Sequence, residues 1–333
     1  MSSINLFGFP IVVLRNVFSQ FGPAEIFTIS LCSKRTEQNL QYVMRPNTVV
    51  LHLTASDENE FTIECSRGRQ CLTFRGSSES VDEYEYVVNT NAGSVPVSFS
   101  DKTVFVNCKK RVFKAFFKYI CNIFRSEIGK LFLWSMTPSS QVPIWVIEWV
   151  MCQQESLKSL WILADEVSKE NISYIVSKAN ITEELNLVSN YYKSNANIRM
   201  RPMSLRKFES FNSAWFTLEN LINLDVETAK VYSTQLTSRN MFLRHWVYGG
   251  CGRLLEMYLE FGLRMIVDFN QVLDGIDFKR VEQKKADKYF SEYLSGFVGK
   301  DGGFKVRRKS DGKVALLLNN RQKPSFFNLL VDC

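Results

Sequence analysis

The chain has 333 residues, 45% hydrophobic and 23% charged, with 26 Phe, 12 Tyr and 6 Trp. That much apolar and aromatic material excludes disorder throughout and any fibrous or low-complexity character, and the length suits roughly two structural units. The formal charge of +7 is spread thinly. Its local clusters, Lys109-Lys110-Arg111 and Arg307-Arg308-Lys309, lack the aromatic interleaving of a nucleic-acid surface and read as solvated faces.

The eight Cys are scattered without a CxxC pair, so the ligand spacing of a zinc site is missing and no metal is expected. Phe9–Leu14 is interrupted at once by Arg15, so no signal peptide is expected. Val142–Val150, the most apolar stretch elsewhere, is short and contains Glu148, which argues against a membrane span. Together these features place the chain inside the cell, in cytoplasm and/or nucleus, with reduced thiols packing as small apolar groups. The sequons at Asn171 and Asn180 are then unmodified.

The first 45 residues predict three short helices. Pro10 suits a helix start, and Ile11–Phe21 is apolar apart from a narrow stripe of Arg15, Asn16, Ser19 and Gln20. Gly22 ends that helix, Pro23 opens a second that reaches Leu31, and Ser33 is placed to cap a third. From Thr48 to Phe99 the period drops to two. Val50–Leu53, Phe61–Ile63, Cys71–Phe74 and Tyr84–Val88 read as strands of an antiparallel meander, separated by Ser56–Asn59 and Arg67-Gly68, with Gly76–Asp82 as a solvated loop. Helical period returns over Val112–Ile128, where Phe113, Phe116, Phe117, Ile120, Phe124 and Ile128 share one side, the mark of a core helix.

Downstream, strands are predicted to start at 160, 185, 205, 229 and 254, with helices over 169–178, 218–224 and 239–248. An interval of about 20–25 residues suits one strand plus one crossover per turn of a leucine-rich-repeat-like solenoid arc. Phe304–Arg307, the Asp311-Gly312 turn and Val314–Leu318 predict a closing hairpin. The fold class is therefore mixed α/β (α+β): a helical segment over 1–46, a strand-rich segment with an amphipathic helix over 47–130, and a solenoid-like domain over 131–333.

No catalytic constellation emerges. A serine or cysteine nucleophile needs a base beside it, and the two imidazoles, His52 and His245, fall in an apolar strand and a helix. Neither GxGxxG nor GxxxxGK[ST] is present, and Gly249-Gly250-Cys251-Gly252 follows a helix, which fits a C-terminal turn better than a phosphate cradle. Glu183-Glu184 reads as solvated charge. No enzyme activity and no cofactor are expected.

The first helix is the informative element. A unit of about 40 residues buries too little surface to stand alone, yet this helix is apolar around most of its circumference. One side can pack on its neighbours; the other, including some of Val13, Leu14, Val17 and Phe18, faces either water or the strand-rich part of the chain. The residues favour the first. Phe9-Pro10-Ile-Val-Val-Leu14, Val17-Phe18, Gly22-Pro23-Ala-Glu25-Ile26-Phe27 and Ile29-Ser30-Leu31-Cys32-Ser33-Lys34 together resemble an F-box, with Phe9 where Leu is commoner and Phe-Gly-Pro where many members have Leu/Met-x-Pro. Phe216–Asp225 and Phe242–Gly250 resemble the F-box-associated type 2 domain of the large nematode F-box expansion, and Val306–Ala315 is similar to its closing hairpin.

That resemblance implies a substrate-recognition subunit of a Skp–cullin–F-box ubiquitin ligase, binding a Skp-type adaptor, and through it a cullin–RING ligase, at one end and an unknown protein substrate at the other. It assigns Pro10, Leu14, Val17, Phe18, Pro23, Ile26 and Phe27 to the adaptor interface and Ile29 and Leu31 to internal packing. Leu218, Leu221, Leu224, Leu243 and Trp246, at helical spacing, are read as core. The alternative is a non-catalytic solenoid scaffold without ligase association. Deleting residues 1–45 is expected to unfold the scaffold but leave a soluble remainder of a receptor. Neither nucleic acid nor membrane is an expected partner.

Overall fold

In a computed structural model of the chain, the described residues are 6–56, 60–77, 86–107, 110–135, 142–191, 198–234, 236, 239–261, 266–282, 303–318 and 325–331. The chain divides into two compact units, residues 1–135 with 145–157 and residues 136–144 with 158–333. Both helices and strands are abundant, so the mixed α/β class holds, with helices first and strand-rich sheet after.

The first unit opens with α1 (Ile11–Ser19), α2 (Pro23–Leu31) and α3 (Lys34–Val43). Pro23 occupies the first turn of α2, where its missing N–H costs nothing. Ser33 Oγ accepts the Thr36 N–H at 3.1 Å and caps α3. Then follow β1 (Val50–Ser56), β2 (Phe61–Arg67), β3 (Gln70–Ser77), β4 (Tyr86–Thr90), β5 (Gly93–Ser100), β6 (Thr103–Asn107), α4 (Lys110–Phe124), β7 (Ile128–Ser135) and α5 (Ile144–Gln153). The strands lie in the order β7-β1-β2-β3-β6-β5-β4.

Pairing of β1 with β2 and of β2 with β3 is antiparallel, as a meander requires. The β1–β7 and β3–β6 pairs are parallel, so the simple meander stops at β3. The helix expected to reach Ile128 ends at Phe124, because Arg125 takes the left-handed conformation (φ 48°) that breaks it; Ile128 instead begins β7. Tyr84 and most of the Gly76–Asp82 loop lie outside the described residues.

Helices and strands of this unit share one core. Phe113, Phe116, Phe117, Ile120 and Phe124 of α4 are all buried. Phe27 of α2 meets Phe74 of β3 edge-on at 4.8 Å, and Phe74 meets Phe116 at 5.7 Å. Gly76 makes room for an aromatic: its cross-strand partner Phe61 lies over it, so a Cβ there would sit 1.8 Å from the ring. That ring packs on Phe113 at 4.4 Å.

The second unit contains β8 (Leu157–Glu166), α6 (Lys169–Lys178), β9 (Ile181–Tyr191), β10 (Met203–Ser210), α7 (Leu218–Asn223), β11 (Leu224–Thr234), α8 (Arg239–Val247), β12 (Glu256–Phe261), α9 (Phe269–Val272), β13 (Phe278–Val281), β14 (Gly303–Arg307), β15 (Val314–Leu318) and β16 (Phe326–Val331). Strand order is β8-β9-β10-β11-β12-β16-β15-β14-β13. The pairs β9–β10, β10–β11 and β11–β12 are parallel, and β12–β16, β16–β15, β15–β14 and β14–β13 are antiparallel. Parallel neighbours need crossovers, supplied by α7 between β10 and β11 and by α8 between β11 and β12. The expected hairpin is β14–β15, turning through Gly312 at φ 77°. β13 and the central strand β16 have no counterpart among the elements expected from the sequence.

Candidate interaction surface

The helical pattern of α1 sorts its apolar residues onto two sides. Leu14 (5% exposed) and Phe18 (1% exposed) point inward, and Phe18 stacks on Phe7 at 6.0 Å and meets Phe21 edge-on at 5.5 Å. Phe9, Val12 and Val13 point outward, 46%, 65% and 41% exposed. Pro10 is exposed beside them, and Val17 is half-buried.

Five residues expected at the adaptor interface are core residues of this chain. Leu14, Phe18, Pro23, Ile26 and Phe27 are buried, because α2 lies on the sheet of its own unit and α1 packs against α3. Of the residues expected there, only Pro10 and Val17 reach the surface, and Phe9, Val12 and Val13 join them. Periodicity separates the two sides of a helix but does not say which is covered; the exposed pair Val12-Val13 was legible only as part of an aliphatic run.

Two polar contacts fix these helices. Arg67, from the end of β2, donates Nη1 to the Phe18 and Phe21 carbonyls at 2.9 and 3.1 Å, satisfying carbonyls at the C-terminus of α1 where the helix dipole favours a cation. Ser30 Oγ of α2 and the Tyr119 hydroxyl of α4 share a buried hydrogen bond of 2.9 Å. Burial pushes Tyr119 up to about 12, so it stays protonated there. The exposed apolar side of α1 is thus held in a fixed orientation.

The downstream segments that resemble one family meet in space. Thr217 caps α7 by accepting the Asn220 N–H. The buried Asn220 amide accepts from Met200 N–H at 3.0 Å and donates to the Ile198 carbonyl at 2.7 Å, holding the entry to β10. Leu221, Leu224, Leu243 and Trp246 are buried as expected, whereas Leu218, at the first turn of α7, is only half-buried. Arg308 corrects its sequence reading: far from a solvated face, it is 2% exposed, lies 5.1 Å from the Trp246 ring and grips Asp311 through two bonds of 2.9 and 2.6 Å. The Lys309 N–H reaches the Val247 carbonyl at 2.7 Å. The β14–β15 hairpin therefore clasps the C-terminal end of α8. Arg308 holds the Asp311 carboxyl down at about 2.

Other ionisable groups serve packing or surface pairing. His52 stands opposite Glu64 on β2, and burial lowers its pKa. The His245 ring fills the space beside Gly250, where a Cβ would meet it at 1.9 Å. Burial raises the Cys65 thiol well above its ordinary value, and pushes Cys121 up to about 12 and Cys251 up to about 11, which keeps all three protonated and poor as nucleophiles or ligands. Glu183 pairs with Lys158 and Glu184 with Arg206. Among the described residues no group of three His, Cys, Asp or Glu side chains is placed to hold a metal, and no helix is long and apolar enough to cross a membrane.

The F-box domain family matches residues 6–40, spanning α1, α2 and most of α3. The family described as F-box associated (FBA_2) matches residues 197–259, from the approach to β10 into β12. No curated protein and no solved structure matches the chain.

Proposed function

From a chain that carries an F-box domain and an F-box associated domain, we propose a substrate-recognition subunit of a Skp–cullin–F-box ubiquitin ligase, itself without catalytic activity and working inside the cell. Residues 1–46 present the adaptor-binding surface and residues 131–333 the substrate-binding part. The observation that supports this most directly is the outward side of α1. Phe9, just before α1, and Val12 and Val13 on its outward side form an apolar patch opposite a side already satisfied, and such patches mark interaction surfaces. Pro10 and Val17 extend it, while Leu14, Phe18, Pro23, Ile26 and Phe27 shape it from beneath. We read the β8–β12 run with its intervening helices as a leucine-rich-repeat-like arc. The receptor's contribution is positional: tethering a substrate lysine near a charged conjugating enzyme raises its effective concentration.

Co-expression with a Skp-type adaptor tests this reading. A one-to-one complex is expected, and Val12→Asp with Val13→Asp abolishes it while leaving the melting temperature nearly unchanged. A wild-type chain that fails to co-purify, or a double variant that still does, overturns it and leaves the scaffold reading. Deleting residues 1–45 does not discriminate between the two. It would strip Phe27 from Phe74 and uncover the core of the first unit under either reading.

A further inference from the structure

In the first unit, the core face of the β2–β3 hairpin is apolar until its tip. Phe61, Ile63 and Cys65 on β2 and Leu72 and Phe74 on β3 are buried there, and Arg67 and Gln70 are the next residues on that same face. The two stand directly opposite each other across a tight turn through Gly68, whose φ of 60° suits glycine. Directly paired residues share a face, so both side chains reach beyond the core together. They meet the junction between α1 and α2. Arg67 Nη1 bonds the Phe18 and Phe21 carbonyls, and a Cβ on Gly22 would lie 2.8 Å from Gln70 Oε1 and 3.0 Å from its Cδ.

α1 needs that outside help. It has nine residues, too few to hold a helix in water unaided, and its N-terminus has no side-chain cap. Its first turn carries no acidic residue and its last turn no basic one, so the helix does not answer its own dipole. Arg67 supplies the missing cation from another element. Packing of Leu14 and Phe18 holds the inward side of α1. Arg67 and Gln70 hold its end, and with it the direction in which Phe9, Val12 and Val13 face.

We propose that Arg67, assisted by Gln70, is a positioning residue for adaptor capture: the hairpin tip clamps the α1–α2 junction and so sets the pose of the apolar patch. This rests on the reading above of α1 as the adaptor-binding surface. Both residues lie outside the 6–40 match, so the F-box of this chain depends on a strand pair that follows it. The physical route is population. An unclamped α1 samples several pitches, and the patch matches the adaptor in only a fraction of them. Apparent affinity falls by that fraction.

The test measures affinity of the full-length chain for a Skp-type adaptor by calorimetry, at a temperature where circular dichroism shows every variant folded. Arg67→Met is expected to weaken capture about tenfold, and Arg67→Lys to restore most of the loss, since an ammonium reaches the same carbonyls. Should Arg67→Met not fold, Arg67→Gln, which keeps a donor, takes its place with a loss of about threefold. Arg125→Met is the control. Arg125 Nη1 donates to the Met44 carbonyl at 3.0 Å, the same kind of bond at the end of α3. Its loss is expected to leave affinity within about twofold. Without adaptor, Arg67→Met speeds amide exchange along α1, first at its end, while α2 keeps wild-type rates. Undiminished capture by Arg67→Met, or an equal loss in Arg125→Met, overturns this proposal and leaves the adaptor reading standing. A wild-type chain that captures no adaptor overturns both, so the wild-type measurement tells the two failures apart.

Discussion

Two nine-residue helices, α1 and α8, are finished in the same way and face outward in opposite ways. Each hands carbonyls at or just beyond its C-terminus to groups from a distant strand or hairpin: Arg67 for α1, Lys309 N–H and the Arg308 guanidinium for α8. Each turns bulky side chains inward, Leu14 and Phe18 in one, Phe242, Leu243 and Trp246 in the other. Outward, α1 shows Val12 and Val13, whereas α8 leads through Arg244 into a cavity that Lys279, Arg307 and Lys309 also line. Identical anchoring with opposite surface chemistry teaches that the apolar side of α1 is not the residue of an incompletely packed helix. It is a surface of a helix already secured.

The comparison breaks hardest at the core beneath α1. Phe27→Ala removes the ring shared with Phe74 and is expected to cost about 3–5 kcal/mol, read as a loss of denaturant midpoint for the whole first unit. Next is the clasp on α8. Arg308→Met keeps much of the packing on Trp246 but strands the carbonyls it served, at about 2 kcal/mol, visible as altered tryptophan emission together with a lower melting temperature. Arg67→Ala removes two charge-assisted bonds from a half-buried site, at about 1.5 kcal/mol, and is expected to speed amide exchange at the end of α1 before anywhere else.

A pH series sharpens the clasp. The folded Asp311 carboxyl titrates at about 2 against an ordinary 3.8, so its contribution is complete above the higher value and disappears as pH falls through the lower. Asp311→Asn should therefore melt below wild type at pH 5, and the gap should close towards pH 2. The smallest effect on stability is expected from Val12→Asp, within about 0.5 kcal/mol, since the side chain leaves no buried contact. Adaptor capture, by contrast, is expected to be lost.

Much of this architecture was readable from residue order. Pro23 and Ser33 fix helix starts that the structure reproduces, and Lys169–Lys178 is the predicted helix to the residue. Two of the misses share a cause: periodicity reports only elements with one wet side. All six residues of β16 are buried, so Phe-Phe-Asn-Leu-Leu-Val has no alternation to read. α5, Ile-Trp-Val-Ile-Glu-Trp-Val-Met, is apolar nearly all round and shows no stripe. Ile128 extended the aromatic series of α4 by one correct helical step, and only the backbone at Arg125 reveals that the helix has already stopped. The surface of α1 was half legible, because the aliphatic run is visible but the partner covering Leu14 and Phe18 is not. The cavity beside α8 was not legible at all: Arg244, Lys279 and Lys305 are far apart in the chain, and register alone brings them together.

The seating of Phe27 against Phe74 also bears on portability. Residues 6–40, cut out and spliced onto another receptor, would carry Ile26 and Phe27 as raw grease with no sheet to receive them. A chimera that keeps this head in working order has to take the cut after α5, transplanting the strands along with the helices.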